Sequence, residues 1–249
     1  MILLETKELV KKYSGRTVVN RISVHVVQGE IVGLLGRNGA GKTTSFRMIV
    51  GMIRPNEGHV VFDGVDVTSM PMFKRARRGM GYLSQEPSIF QRLSVRDNLL
   101  AVLETMHLRS GVRKEKANSL LEQFGLAKVA DNDARTLSGG ERRKLEIARA
   151  LVTNPTMILL DEPFSGVDPI AVEELQREIR GLKDRGISIL LTDHNVRETL
   201  SVTDRSYIID NGQVLREGPP RDLINDEMVR RAYLGKTFRG DEFDKRGTT

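Results

Sequence analysis

One segment constrains the fold of this chain more than any other. Residues 36–44 lie between an apolar run at 31–35 and a helix-like stretch at 45–50. Its glycines let the backbone turn so tightly that successive N–H groups point into one concavity, and the dipole of the next helix adds positive potential. The segment is therefore predicted to be a phosphate-binding loop; the alternative is a strand-to-helix turn that holds no ligand. Its residues, all candidate nucleotide ligands, are Gly36, Arg37, Asn38, Gly39, Ala40, Gly41, Lys42, Thr43 and Thr44.

Two side chains of this loop carry specific chemistry. Lys42 supplies a point charge that can reach the β- and γ-phosphates of a nucleotide. The hydroxyl of Thr43 can bind the Mg²⁺ that accompanies those phosphates. A strand before the loop and a helix after it are the context in which this motif binds nucleotides.

The composition is that of an ordinary globular protein with an excess of basic residues. Of 249 residues, 39% are hydrophobic and 29% are charged. The net charge of +6 favours anionic partners, either nucleic acid or an inner membrane leaflet, although a solvated basic surface explains it equally well. No run approaches the ~18 apolar residues of a transmembrane helix, and a charge at Glu5 comes too early for a signal peptide. With no cysteine in the chain, these features lead us to expect a cytosolic protein.

The pattern of the chain changes twice. Residues 3–35 alternate as strands do, whereas about 72–135 follow helical periods that one short strand at 80–83 interrupts. Buried strands return at 157–160 and 187–191, joined by a helix at about 171–183, which together predict a βαβ unit. A hairpin around 210–212 and a final helix that reaches about 234 complete the prediction.

The strand at 157–160 ends in two adjacent carboxylates, Asp161 and Glu162. Parallel strands bind ligands at their carboxyl ends, where the phosphate-binding loop also lies. Asp161 is therefore predicted to bind Mg²⁺, as the aspartate at this position does in phosphate-loop NTPases. Glu162 is then free to act as the general base that activates water, a role that contributes ~10²–10⁴-fold to a rate. The alternative is a strand that ends in two solvated acids.

A second helix start lies at Ser138, Gly139, Gly140 and Glu141. Ser138 and Glu141 have the spacing of a capping box, which would begin a helix without any ligand. A capping box needs no glycine, however, and two glycines in a first turn cost roughly 1 kcal/mol each relative to alanine. Bare backbone at this position suits close approach to another molecule, so the segment is also predicted to meet phosphate. The two interpretations are compatible.

Together these three motifs resemble the ATP-binding-cassette (ABC) ATPases, and the resemblance covers residues 3–235. It implies an α/β phosphate-loop NTPase fold with a mixed sheet core, an N-terminal antiparallel β layer and a helical subdomain. It also implies a single domain at 1–239, with the helical subdomain at about 72–150 inserted in the RecA-like core, and a flexible tail at 240–249. ATP and Mg²⁺ are the implied ligands. In this family two cassettes pack head to tail, so a homodimer is implied, in which Ser138, Gly139 and Gly140 close on the ATP of the other copy.

The resemblance assigns roles to four further residues. Tyr13 matches the aromatic residue that stacks on adenine, although it could be an ordinary tyrosine at a strand edge. Gln85 matches the glutamine that contacts Mg²⁺ and the attacking water. Asp168 matches a residue of the loop that crosses the dimer interface, and a simple turn before Pro169 is the alternative. His194 matches the histidine that contacts the γ-phosphate.

Within the family, residues 81–90, 193–200 and 231–235 are most similar to ATPase subunits of bacterial lipopolysaccharide exporters. Transmembrane permease subunits are then the implied partners, and the chain would sit on the cytoplasmic face of the inner membrane. Phe90 and Arg92 are candidate docking residues, although Phe90 could equally belong to the core. Exporter members usually have proline where this chain has Ser84, and the tail from Gly240 is longer than theirs.

Two other functions remain open at this stage. Branched-chain amino-acid importer ATPases share the Tyr-Leu-Gly sequence that ends at Gly235. A nucleic-acid-associated or ribosome-associated cassette ATPase would suit the positive charge, but such proteins usually carry paired cassettes or a long coiled-coil insertion. This sequence has neither feature, so no nucleic-acid partner is expected.

Overall fold

An antiparallel sheet forms the N-terminal layer, with its longest strand at the centre. The structure, a computed structural model, describes residues 1–235 and 238. The central strand bends at Glu8, whose φ is +50°, and a Cβ at the facing Gly58 would lie 2.3 Å from the Glu8 carbonyl oxygen. Glycine is therefore required at position 58, where β5 pairs with the bend in β1. The strands are β1 (Ile2–Tyr13), β2 (Arg16–Ile22), β3 (His25–Val27), β5 (Glu57–Phe62) and β6 (Val65–Asp66), in the order β2-β1-β5-β6 with β3 also paired to β1.

A second, larger sheet forms the centre of the molecule. Its strand order is β11-β10-β4-β9-β8-β7, and every neighbouring pair is parallel except β10 and β11. The fold class predicted from the sequence, with a mixed sheet core and an antiparallel N-terminal layer, is confirmed. The strands are β4 (Ile31–Gly36), β7 (Met80–Leu83), β8 (Met157–Asp161), β9 (Ser188–Thr192), β10 (Arg205–Asp210) and β11 (Gln213–Gly218).

The register of this sheet aligns the carboxyl ends of four neighbouring strands. Gly33 pairs with Leu191, Asp161 with Thr192, and Leu83 with Leu160. The segments that follow β4, β9, β8 and β7 therefore leave the sheet side by side at one edge. In an open α/β sheet this edge is where ligands bind.

Three helices pack into one layer beside β7. Ser94 starts the first of them, since its side chain accepts a hydrogen bond from the Asp97 N–H at 3.0 Å. These helices are α3 (Val95–Leu103), α4 (Ser110–Gln123) and α5 (Gly139–Leu151), with short 3₁₀ turns at Glu104–Met106, Ala127–Val129 and Ala134–Thr136. β7 lies inside the range 72–150 but belongs to the central sheet, so the bounds of the helical subdomain and of the single domain stay predictions.

The remaining helices cover the sheets or follow the hairpin of β10 and β11. The single helix predicted up to about residue 234 is wrong, because Asp226 interrupts it. The Asp226 side chain accepts a hydrogen bond from the Val229 N–H at 2.9 Å and so begins a new turn. The tail at 240–249 lies outside the described residues. The helices are α1 (Lys42–Val50), α2 (Met72–Arg77), α6 (Pro169–Asp184), α7 (Val196–Val202), α8 (Pro220–Asn225) and α9 (Glu227–Val229), with a π turn at Arg230–Leu234.

Candidate functional site

The phosphate-binding loop joins β4 to α1 and needs glycine for two different reasons. At Gly36 and Gly41 a Cβ would lie 2.2 Å from the Ile209 carbonyl oxygen and 2.7 Å from the Val18 carbonyl oxygen, so neighbouring backbone excludes a side chain. At Gly39 the space is open, but φ is +80°, a conformation that L residues adopt only with strain. The loop geometry therefore depends on the glycines that the sequence motif contains.

The start of α1 offers donors to an anion. Gly41 occupies the N-cap position and has no side chain to cap the helix. The N–H groups of Lys42, Thr43 and Thr44 form the first turn and have no acceptor within the helix. They point toward the loop together with the positive end of the helix dipole, which is the arrangement that binds phosphate.

The Lys42 ammonium group is held inside the loop. Its Nζ donates hydrogen bonds to the carbonyl oxygens of Gly36 at 2.6 Å and Arg37 at 3.0 Å, and the residue is buried. Burial lowers the pKa of Lys42, while the charges of Glu162, Asp193 and Asp161 act against that shift. The carboxylates that act on this ammonium lie at the carboxyl ends of β8 and β9.

Asp161 and Glu162 end β8 in different conformations. Asp161 is buried, and burial raises the pKa of its carboxyl group, with a further contribution from the adjacent charge of Glu162. Its Oδ2 accepts a long hydrogen bond of 3.4 Å from the Tyr82 hydroxyl. Glu162 has a φ of +46°, which turns the chain away from the strand, and its N–H donates to the Thr192 carbonyl oxygen at 2.7 Å.

Two residues that were assigned by the resemblance, Gln85 and His194, meet at one carboxylate oxygen of Glu162, which was predicted from its place after a buried strand. Glu162 Oε2 accepts a hydrogen bond from Gln85 Nε2 at 2.8 Å. The same oxygen lies 3.1 Å from His194 Nδ1, which donates to it when that nitrogen carries the proton. Gln85 follows β7, Glu162 follows β8 and His194 follows β9. The aligned edge of the sheet thus brings together side chains that are far apart in the sequence.

The side chains near the loop fit a Mg²⁺ ion that arrives with a nucleotide. Asp161 supplies a buried carboxylate, Thr43 a hydroxyl and Gln85 an amide oxygen. Within residues 1–235 and 238, no group of three or more His, Asp or Glu side chains could enclose a metal ion. Mg²⁺ typically keeps several waters and binds one or two carboxylates together with substrate phosphates. These donors fit an ion that is held together with a nucleotide.

The second helix start also has the predicted cap. Ser138 Oγ accepts from the Glu141 N–H at 3.3 Å, and Glu141 Oε2 accepts from the Ser138 N–H at 2.9 Å. A Cβ at Gly140 would lie 3.2 Å from the Ala171 Cβ, so packing against α6 already favours glycine there. At Gly139 nothing lies within 4 Å, so its backbone is open to another molecule.

The helices that begin at the two glycine-containing segments belong to different parts of the fold. α1 packs against strands of both sheets, whereas α5 packs against α3, α4, α6 and β7. The open backbone of Gly139 is therefore presented from the helical layer, and the phosphate-binding loop from the opposite side of the central sheet.

For Tyr13 and Asp168, both the functional and the structural interpretation agree with the structure. Tyr13 ends β1 with 46% of its surface exposed, and Lys11 Nζ lies 5.3 Å from its ring centroid. An exposed ring can stack on a base, as the resemblance implies. Asp168 caps α6, because its side chain accepts from the Ala171 N–H at 3.0 Å. That cap is a structural role, and it leaves the preceding residues 165–167 to form a separate turn.

Three buried charged residues beside the site were not predicted from the sequence: Arg143, Glu146 and Asp193. Arg143 donates to the Ser84 carbonyl oxygen at 3.0 Å and to Glu146 Oε2 at 2.8 Å, and so fixes the segment that carries Gln85. The i, i+3 spacing of Arg143 and Glu146 within an apolar helix face was a signal for this pair. Asp193 is fully buried next to His194. Nothing in its local sequence distinguishes it from a solvated acid.

Replacing Asp161 with Asn is expected to raise the melting temperature of the ligand-free chain at pH 7. Burial raises the pKa of this carboxyl, so its charged form opposes folding at any pH above that pKa. The gain should shrink as pH falls and the wild-type carboxyl becomes protonated. Thermal unfolding in EDTA, followed from pH 7 downward, measures the effect.

Asp226→Asn is the control with the opposite sign. Hydrogen bonds from the Val229 N–H and from Arg216 lower the pKa of Asp226, so its charge stabilises the fold at pH 7. Its replacement should lower the melting temperature, and the loss should disappear as pH falls through the folded-state pKa. A lower melting temperature for Asp161→Asn at pH 7 would contradict the account of the buried carboxyl.

Comparison with known proteins assigns this chain to a family. The family model described as ABC transporter matches residues 19–165. The lipopolysaccharide export system ATP-binding protein LptB of Acidithiobacillus ferridurans is 53% identical over 236 residues, 95% of this chain and 98% of that protein. The protein of the same name from Escherichia coli K12 is 52% identical over 240 residues, 96% of this chain and all of that protein.

A solved structure agrees with these sequence matches. The crystal structure of the ADP conformation of MJ1267, an ATP-binding cassette of an ABC transporter, superimposes with a TM-score of 0.85 at 30% identity and covers 95% of this chain and 100% of that one. Within the described residues, no helix has both the length and the apolar character needed to cross a membrane. The chain belongs to the ABC transporter family, in which it is an ATP-binding cassette and an ATPase.

Proposed function

We propose that two copies of this cassette hydrolyse ATP at shared sites and drive the export of lipopolysaccharide through transmembrane permease subunits. The observation that carries the hydrolytic part is the contact of Gln85 and His194 with the carboxylate of Glu162, beside a phosphate-binding loop. The observation that supports the substrate is similarity over nearly the whole chain to two LptB proteins.

The proposed binding of ATP uses the loop and the acids across from it. N–H groups at the start of α1 and the Lys42 ammonium hold the phosphates, and Tyr13 stacks on the base. Thr43, Asp161 and Gln85 would hold Mg²⁺, which neutralises phosphate charge when it is bound. Lys42 exchanges its hydrogen bonds to Gly36 and Arg37 for phosphate oxygens, so its burial does not oppose binding.

The proposed hydrolytic step uses the carboxylate of Glu162 as the general base. A water attacks the γ-phosphorus, the bond to the β,γ-bridging oxygen breaks, and Glu162 takes the proton of the water. Gln85 and His194 fix the orientation of that carboxylate through their contacts with Oε2. His194 also lies at the level of the loop, where it can contact the γ-phosphate.

Replacing Glu162 with Gln is expected to lower ATP turnover at least ~100-fold, because the amide cannot accept the proton of the water. ATP affinity should change less than about twofold, since Glu162 does not hold the phosphates. The variant should accumulate as an ATP-bound dimer. Steady-state phosphate release, ATP titration and light scattering with ATP measure the three quantities.

Glu174→Gln is the matched control for this experiment. Glu174 is 42% exposed and pairs with Lys144 at 2.6 Å, away from the loop. Its replacement should leave turnover unchanged. Normal ATPase activity in Glu162→Gln would remove the assignment of the base.

We further propose that each site is complete only in a head-to-tail homodimer. The open backbone at Gly139 and the helix start at Ser138 belong to the helical layer, and a second copy can present them to the phosphate-binding loop. Asp168 and its turn would then lie at the boundary between the two copies. A symmetric pair of this kind contains two equivalent sites.

Co-expression of two inactive variants tests the shared site. Lys42→Ala removes the loop charge from one chain, and Ser138→Arg blocks the helix start of the other. In a mixed dimer one site carries both changes and the other carries neither. Co-expressed chains should therefore recover about a quarter of wild-type turnover, because about half of the dimers are mixed and each has one intact site.

The outcome separates shared from self-contained sites. If each chain carried a complete site of its own, both members of a mixed dimer would be inactive and no turnover would return. Separately expressed variants, purified in the same way, give the baseline.

Transmembrane partners are proposed to dock near the segment that carries Gln85. Phe90 lies in this region with 48% of its surface exposed, and the Arg149 guanidinium stacks over its ring at 4.7 Å. A supported, exposed aromatic ring is a typical anchor at a protein interface. Arg92 is the proposed polar contact beside it. The chain would then lie on the cytoplasmic face of the inner membrane.

Purification of the tagged chain from native membranes tests this docking. Wild type should retain transmembrane subunits, and Phe90→Ala should retain at least about tenfold less. Val112→Ala is the control, since Val112 is also an exposed apolar residue, at 46%, but lies on α4. The reconstituted wild-type complex should release lipopolysaccharide from vesicles only with ATP. Release of branched-chain amino acids, or co-purification of nucleic acid without membrane subunits, would overturn the proposed substrate.

A further inference from the structure

One buried carboxylate joins the two turns that carry the hydrolytic groups. Asp193 is 0% exposed and follows β9 directly. Its Oδ2 accepts a hydrogen bond from the Phe164 N–H at 2.8 Å, and its Oδ1 accepts one from the Asn195 N–H at 2.9 Å. Phe164 comes two residues after Glu162, and Asn195 comes directly after His194. Asp193 thus connects both segments through one rigid group.

This link lies where the backbone ladder between β8 and β9 ends. The positive φ of Glu162 turns the chain out of β8, and the Glu162 N–H to Thr192 carbonyl bond is the last backbone contact between the two strands. Beyond that point the segments that follow β8 and β9 are connected through the Asp193 side chain. Phe164 is itself buried in the core, so the carboxylate is attached to a fixed point.

The same carboxylate places a negative charge against the site. His194 Nδ1 lies 3.5 Å from Asp193 Oδ1, in addition to its contact with Glu162. Burial raises the pKa of Asp193, and the hydrogen bonds from Asn195 and Phe164 oppose that shift. The charge of Asp193 also acts on Lys42 in the loop. The charge of Asp193 therefore acts both on the His194 imidazole and on Lys42 of the phosphate-binding loop.

We propose that Asp193 is a positioning residue for ATP hydrolysis, which holds Glu162 and His194 at a fixed separation by joining the turns behind them. The inference rests on the proposed function, since it assumes that Glu162 and His194 act on ATP. Phe164 also begins the turn at 165–167 that leads to Asp168. A movement of that turn when two copies meet would reach His194 through the same carboxylate.

Asp193→Asn tests the proposal with a side chain of the same size. The amide nitrogen is a donor, so it cannot accept from one of the two N–H groups, and one turn loses its link. We expect kcat to fall about 10- to 100-fold and the KM for ATP to change less than about twofold, because small displacements of catalytic groups affect the chemical step. Unchanged kcat in the folded variant would overturn the proposal.

Asp204→Asn is the matched control. Asp204 also joins two segments, at the opposite edge of the same sheet: its Oδ2 accepts from the Ile31 N–H at 2.9 Å and its Oδ1 from Lys183 Nζ at 2.5 Å. Its replacement should lower the melting temperature and leave kcat unchanged. If Asp193 were merely structural, the two variants would behave alike once the rates are corrected for folded protein.

A double-mutant cycle with His194→Ala identifies the route of the effect. If Asp193 acts through His194 and Glu162, adding Asp193→Asn to His194→Ala should slow turnover much less than it slows wild type. Fully additive losses would overturn this role. If Asp193→Asn does not fold, Asp193→Ser, whose hydroxyl keeps one acceptor, takes its place in the cycle. Failure of both variants to fold would show that the residue is structural.

The baseline variants separate this proposal from the proposed function. If wild type hydrolyses no ATP, or Glu162→Gln is fully active, the proposed function fails first. If those two behave as expected and Asp193→Asn keeps its kcat, only the positioning role is lost.

Discussion

Parallel pairing of β7, β8, β9 and β4 determines where Gln85, Glu162, His194 and the phosphate-binding loop lie. Two residues beyond the paired Leu83 and Leu160 come Gln85 and Glu162. Three residues beyond the paired Gly33 and Leu191 come Gly36 and His194. The register of the strands therefore sets these groups within one residue of the same height, and a register slip of one strand would move its group away from the others.

The conformation of Glu162 is strained, and its surroundings maintain it. A non-glycine residue at a φ of +46° costs about 1 kcal/mol or more. The bond from its N–H to Thr192 fixes the backbone on one side, and the bond from the Phe164 N–H to Asp193 fixes it on the other. The strain turns the carboxylate out of the strand direction and toward Gln85 and His194. Strained backbone of this kind persists where neighbouring contacts over-determine it.

Local signals in the sequence predicted the helices, the strands and the phosphate-binding loop, because a glycine, a helix cap or a buried apolar run acts over a few neighbouring residues. The contacts of lone charged residues could not be predicted in this way. Arg75 belongs to a basic run that looks solvated, yet it is 1% exposed and donates to the carbonyl oxygens of Met48 at 2.9 Å and Ile49 at 2.5 Å, in the last turn of α1. Likewise, nothing in the sequence around Asp226 indicated that its side chain would begin a new turn and divide the last helix. Such contacts depend on elements that lie far apart in the sequence.

The pKa values of two aspartates of the site shift in the same direction, but the hydrogen bonds of the two side chains differ and indicate different roles. Burial raises the pKa of both Asp161 and Asp193. Each oxygen of Asp193 accepts a short hydrogen bond from a backbone N–H, so both oxygens already have a partner within the fold. Asp161 accepts only the long bond from Tyr82 among the described side-chain contacts. A buried carboxylate with unused acceptor capacity suits a cation, whereas one with satisfied oxygens suits the positioning of its neighbours.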